Sequence, residues 1–225
     1  MTSVLDNIFW HTLTGPQAHF AAGAGDARRY APGFSPILGF RDPANPAFDA
    51  LLPYCNPGEQ FYVGSWSGPP PPDWEVLSET RMVLMVREST ARTGATQDAA
   101  IRLGAADVAR AVELATLTRP GPFGPRTIEL GEYYGYFEGE RLIAMAGERM
   151  HAGNFREISG VCTHPDFQGR GSARTLMMLL IDLQLARGQT PFLHVMSGNT
   201  GARRLYAQLG FRDYHETPVR IISRA

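Results

Sequence analysis

The sequence predicts an α/β fold of the α+β kind. It places a mixed, mostly antiparallel sheet with flanking helices over residues 101–225, a smaller N-terminal α/β lobe over 1–88, and a linker over 89–100. Three stretches carry that prediction. Gly131 to Thr163 alternates apolar runs with turns at Glu138-Gly139-Glu140 and Ala152-Gly153-Asn154, the pattern of a three-stranded meander. Glu157 to Leu176 runs from an apolar strand through a Pro-marked turn and a Gly-rich loop directly into a helix. Pro191 to Phe211 gives strand, turn and helix again and closes on Gly210-Phe211, the place of a helix C-cap.

Composition excludes several function classes. The chain has 225 residues, 44% hydrophobic and 19% charged, an ordinary globular balance. Its formal net charge of −1 gives no electrostatic case for nucleic acid or an anionic membrane as partner. Every basic residue apart from histidine is Arg; there is no lysine. The two cysteines, Cys55 and Cys162, make neither a disulfide framework nor a metal spacing. His151, His164, His194 and His215 share no ligand spacing, so no metal site is expected, and His194 reads as a satisfied sheet histidine. The start, MTSVLDNIFW, lacks a basic cluster before its apolar run, and no apolar stretch approaches ~18 residues, so a cytoplasmic protein is expected.

Along the lobe, helices are expected at Asn7–Leu13, Pro16–Ala22 and Pro46–Leu52, and strands at Phe61–Trp66 and Arg81–Arg87. The Pro run at 69–72 is an extended loop. The lobe covers or extends the larger domain, forms a wall of a pocket in it, or is a worn second copy of the same fold. Small polar residues over Ser89–Ala100 give the linker. A strand at Ile101–Leu103 follows, then a helix at Asp107–Leu117, stopped by Arg119-Pro120-Gly121-Pro122. Strands at Tyr133–Phe137, Arg141–Met150 and Phe155–Thr163 make the meander. Met177, Met178, Leu179, Leu180 and Leu183 form a core-facing stripe on the helix behind the Gly-rich loop. The last strand is expected at Val219–Ser223, and an exposed last strand could pair with a second copy in a homodimer.

A strand entering a Gly-rich turn that opens a helix is a phosphate-binding device. Glycines let the backbone approach the ligand, and the helix start offers N–H groups without intrahelical partners. A Walker-type loop needs a lysine that this chain does not have, and the dinucleotide fingerprint needs a third glycine where Arg174 stands. Gln168-Gly169-Arg170-Gly171-Ser172-Ala173 instead resembles the signature of the GNAT acyltransferases: Gln or Arg, two residues, Gly, one residue, Gly or Ala. Asn199, Tyr206 and Gly210-Phe211 resemble that family's second signature, and together the likeness spans roughly Ile101 to Ala225. Pro120–Phe123, Arg141–Met145 and Val161–Pro165 look like a bacterial branch close to the glycine-acyltransferase-like members.

The resemblance implies a GNAT fold and transfer of a short acyl group from acetyl-CoA to a primary amine, by direct attack and without a metal. It implies that backbone near Val161, Cys162 and Thr163 holds the pantetheine arm and that Gln168, Gly169, Arg170, Gly171, Ser172 and Ala173 bind the pyrophosphate. Asn199 would bond the cofactor, and Arg203 would reach phosphate or remain a solvated helix charge. Tyr206 would protonate the leaving thiolate. Glu157 stands where histone-acetylating members carry a catalytic Glu; it is the candidate base, with a strand Glu paired to Arg156 or Arg149 as the alternative. Phe123 and Tyr134 are the candidate acceptor-pocket residues. A small-molecule amine is the expected acceptor. The rivals are a non-catalytic acyl-CoA sensor and a protein or peptide acetyltransferase.

Overall fold

The computed structural model describes residues 3–94 and 99–225; residues 95–98, within the expected linker, and the first two residues of the expected lobe lie outside the described residues. The strands are β1 Ala21–Ala22, β2 Ala27–Tyr30, β3 Leu38–Phe40, β4 Gln60–Gly64, β5 Trp74–Arg87, β6 Ile101–Arg102, β7 Tyr133–Glu138, β8 Arg141–Ala152, β9 Phe155–Thr163, β10 Thr190–Met196 and β11 Phe211–Arg224. The α-helices are α1 Ile8–Thr14, α2 Val108–Thr118, α3 Ser172–Ala186 and α4 Thr200–Gln208.

Eight strands form one sheet in the order β4-β11-β5-β10-β9-β8-β7-β6, and β1-β2-β3 form a second, three-stranded one. All neighbours in the large sheet are antiparallel except β9 and β10. The sheet therefore crosses the boundary at residue 88, because β5 inserts between β10 and β11. Both faces of β5 are covered, which is why Met82 to Val86 is a continuous apolar run rather than an alternating one. Val83 and Met85 face α3, where Leu176, Met177, Leu180 and Ile181 pack beside Leu193 and Val195. Leu84 and Val86 face Leu5, Ile8, Leu13 and Phe34 of the N-terminal segment. Each fully buried Leu or Ile stabilises these two layers by about 1.5–3 kcal/mol.

Two expectations need correction. Pro16–Ala22 does not form a helix: a 3-10 turn at Ala18–Phe20 leads into β1, where Ala21 and Ala22 pair with Tyr30 and Arg29. Sheet pairing outweighs the helix preference of alanine, which amounts to a few tenths of a kcal/mol per residue. The last strand is not an exposed edge. It runs from Phe211 to Arg224, and its expected span, Val219–Ser223, is paired on one side with β4 and on the other with β5, whereas Phe211 to Thr217 is paired on the β5 side alone. No helix among the described residues is long and apolar enough to cross a membrane.

Candidate active site

The site is built by two strands that part. β9 and β10 pair in parallel only from Thr190↔Phe155 to Phe192↔Glu157. Beyond Phe192, β10 stays with β5, whereas β9 follows β8, so a cleft opens between them. A bulge in β9 marks the divergence: Ser159 opposes Gly147 and Cys162 opposes Met145, giving β9 one residue more than β8 between the same rungs. Gly160 within it has φ of 65°, and a Cβ there would lie 3.0 Å from the Tyr133 ring. Only glycine fits.

A cavity of about 910 Å³ fills the cleft. One end is the loop Gln168 to Ala173. Gly169 and Gly171 hold φ of 78° and 81°, with open space where a side chain would project. Gly171 caps α3, so the amides of Ser172, Ala173 and Arg174, all on the cavity wall, have no intrahelical partner. Arg170, its guanidinium 4.7 Å from the Phe167 ring centroid, and Arg174 add cationic groups to that wall. In the middle, Val161, Cys162 and Thr163 of the bulged strand face Tyr206 of α4. Burial raises the Tyr206 phenol to about 12, and its hydroxyl has no hydrogen-bond partner among the described residues. It therefore stays protonated and available as a donor to the cavity. Burial likewise pushes the Cys162 thiol up to about 11, which leaves it an inert wall residue.

At the other end stand Tyr62, Met82, Met196, His194, Arg149 and the loop Thr118–Pro122. Glu157 lies behind them, fully buried. It accepts from Arg149 Nε at 2.9 Å and Arg149 Nη2 at 2.8 Å, from the Met150 amide at 3.2 Å, and from His194 Nδ1 at 2.8 Å. Burial alone would raise this carboxyl, but the Arg149 charge and the His194 and Arg149 hydrogen bonds outweigh it and draw it down to about 2. The bond to Glu157 fixes His194 as the tautomer with its proton on Nδ1, which leaves Nε2 as the acceptor. A depressed carboxyl pKa is a stability statement. The pairing stabilises the fold above pH ~4.5, where the unfolded chain also ionises, and that contribution, on the order of 3 kcal/mol, is lost as pH falls through the folded value. Thermal unfolding of wild type and Glu157→Gln should therefore differ most near pH 6 and converge toward pH 2–3. A pH-independent difference would show that the carboxylate charge is not what stabilises the pair.

The family model described as FR47-like protein matches residues 133–220, which include the bulged strand, the loop and α4. No curated protein matches the chain. A crystal structure described as an acetyltransferase from the GNAT family, from Novosphingobium aromaticivorans, superposes with a TM-score of 0.90 at 31% identity, covering 100% of both chains. The chain belongs to the GNAT family. It is an acyltransferase. Two further structures share the GNAT fold at low identity. A GCN5-related N-acetyltransferase from Kribbella flavida has a TM-score of 0.57 at 16% identity, covering 96% of this chain and 93% of its own. A GCN5-related N-acetyltransferase-like protein from Streptococcus suis gives 0.58 at 13%, covering 97% and 92%. None of these comparisons distinguishes a branch within the GNAT family.

The GNAT cleft gathers most of the expected residues. Val161, Cys162, Thr163, Gln168, Gly169, Arg170, Gly171, Ser172, Ala173, Asn199 and Tyr206 all line it. Asn199 also caps α4, its Oδ1 accepting from the Ala202 amide at 3.1 Å. Four expected residues do not line the cavity. Arg203 turns to Asp213, with Nη2 2.6 Å from Oδ2, and Arg174 takes its place on the wall. Tyr134 is buried beneath α3 with Leu176 and Leu180, on the core side of the sheet. Phe123 stacks edge-on against Tyr133 at 5.7 Å, behind Pro120–Pro122, which do line the cavity. Glu157 is not solvent-facing: it reaches the cavity only through His194 and Arg149. Neither of those two was singled out from sequence as a site residue, although His194, two residues past the rung where β10 leaves β9, occupies the strand position next to the opening. Among the described residues, no group of His, Cys, Asp and Glu is disposed to hold a metal ion.

Proposed function

We propose that this GNAT chain transfers a short acyl group from acetyl-CoA to a primary amine by direct attack. The observation that carries the reading is the cleft joining a glycine-rich loop and helix N-terminus at one end to a buried His–Glu pair at the other, with a protonated Tyr206 between them. The fit to the co-substrate rests on the loop. Two left-handed glycines leave space above the backbone, three unpartnered helix amides and two arginines face it, and no Asp or Glu lines the cavity among the described residues. Gln168 to Ala173 would hold the pyrophosphate, and the β9 backbone from Val161 to Thr163 the pantetheine arm. Acetyl-CoA supplies the acyl group as a thioester, and the new C–N bond forms as the C–S bond breaks.

His194 Nε2 takes the proton the amine loses, and Glu157 and Arg149 hold the imidazole in place. Glu157 is reassigned from base to positioning residue, because a carboxylate ionising near 2 and already occupied by four donor contacts is a weak proton acceptor. Tyr206, with its raised pKa, acts on the departing sulfur as a hydrogen-bond donor. The test is Tyr206→Phe, assayed by thiol release and by acetyl-CoA binding. Turnover should fall about 10- to 100-fold with affinity for acetyl-CoA unchanged, in line with loss of one hydrogen bond to a charged group. A sensor without catalysis would release no thiol in either form and would show no response to the substitution.

A further inference from the structure

Tyr133 of β7 carries a hydroxyl that the fold leaves unpartnered. The residue is 1% exposed, and its hydroxyl is fully buried with no hydrogen-bond partner among the described residues. An enclosed hydroxyl without a partner costs stability, so its retention calls for a partner that arrives with a ligand. Two glycines give the ring its place. A Cβ at Gly147 of β8 would lie 2.2 Å from the ring, and one at Gly160, inside the β9 bulge, 3.0 Å. Gly147 stands between Tyr133 of β7 and Ser159 of β9 in the sheet, so the ring crosses β8 and ends over β9. Outside the adjacent residues, the Tyr133 oxygen is the nearest polar atom to the missing Gly160 side chain, 3.7 Å from the place of its Cβ.

Resting on the acyl-transfer reading above, we infer that Tyr133 is a further catalytic residue, its O–H donating to the carbonyl oxygen of the acyl group. Gly160 directly precedes Val161, Cys162 and Thr163, the stretch of β9 on the cavity wall, and it places no side chain between that backbone and the hydroxyl. Cys162 packs in the same cluster as Tyr133, and Arg149, whose charge acts on the phenol, also lines the cavity. Burial holds the phenol well above its ordinary value, so it is a donor throughout the working pH range. Glu157 does not use that donor: its contacts are with Arg149, His194 and the Met150 amide. The cleft therefore has a hydroxyl on each side of the sheet. Tyr134 packs against α3, so Tyr133, next to it on the strand, points to the opposite face, whereas Tyr206 belongs to the α3 side. In the proposed reaction the carbonyl oxygen gains negative charge as the C–N bond forms and loses it as the C–S bond breaks. Tyr133 donates to that oxygen throughout and keeps its own proton, while Tyr206 addresses the sulfur.

The experiment is Tyr133→Phe, which keeps the ring in its glycine lane and removes the oxygen alone. Acetyl-CoA isotopically labelled at the acyl carbonyl carbon is bound to both proteins, and the carbonyl stretch is read by infrared difference spectroscopy, for which no acceptor is needed. A hydrogen bond lowers this frequency, so the downshift on binding should be smaller in the variant than in the wild type. With an acceptor amine found by thiol release, kcat should fall about 10- to 100-fold, the size of one hydrogen bond to a charged oxygen, with KM for acetyl-CoA unchanged. The melting temperature should equal or exceed that of the wild type, because the variant buries no orphan hydroxyl; a tyrosine with a purely structural bond would lower it on losing that bond. An equal downshift in the two proteins, or a kcat within a few-fold of wild type, overturns the inference and leaves acyl transfer standing. So does a fall in kcat accompanied by a lower melting temperature and weaker acetyl-CoA binding, the mark of a packing role. Failure of the wild type to bind acetyl-CoA removes the underlying reading and the inference with it.

Discussion

Replacing His194 by Gln is expected to lower kcat about 10²- to 10⁴-fold while acetyl-CoA binding and thermal stability change little. Gln is chosen because its side-chain amide can still donate to Glu157 Oε1, which His194 Nδ1 now does at 2.8 Å, so the buried carboxylate keeps its partners. What is lost is the nitrogen that the proposed mechanism makes the general base, and removal of such a base has an effect of this size. Unchanged acetyl-CoA affinity and melting temperature separate this from a packing defect. Retention of kcat within about threefold would return the proton to water or to Glu157. Glu157→Gln should fall between the two, since it loosens His194 without removing it.

Gly171→Glu is the second large effect. The backbone at Gly171 has φ of 81°, which a side-chain-bearing residue adopts at a cost of about 1–2 kcal/mol, and the space above it is open. The new carboxylate therefore projects into the cavity over the amides of Ser172 to Arg174, which the proposed function assigns to the pyrophosphate. Affinity for acetyl-CoA and for free CoA should fall at least 100-fold by calorimetry, with the melting temperature lower by only a few degrees. Gly171→Ala, which carries the same backbone cost without the charge, should retain most of the binding. Equal loss in both variants would mean that backbone conformation rather than anion contact governs the loop.

Local chemistry made much of this legible. The glycine pair with a helix directly behind it, the hairpin glycines of the meander and the apolar stripe of α3 are each specified within a few residues of sequence, because turn and amphipathic patterns are short-range. Glu157 was legible as a position but not as a role, since burial and three partner residues from β8 and β10 set its ionisation. His194 was passed over because a histidine in an apolar strand carries no sign of what stands opposite. Trp74 to Arg81 was unread as strand because it is mostly exposed and polar, so no period-2 apolar signal marks it.

By itself, then, the sequence determined the glycine-rich turn ahead of α3, the order of strands and helices from Ile101 onward, and the GNAT resemblance that follows from them. Only the tertiary structure decided that β5 divides β10 from β11, that Val219–Ser223 of the last strand is covered on both sides, and that Arg149, Glu157 and His194 meet at one end of the cleft. The reason is range. Backbone conformation and capping are settled by neighbours in the chain, whereas strand order and the ionisation of a buried group depend on residues brought together from β8, β9 and β10, which no local pattern specifies.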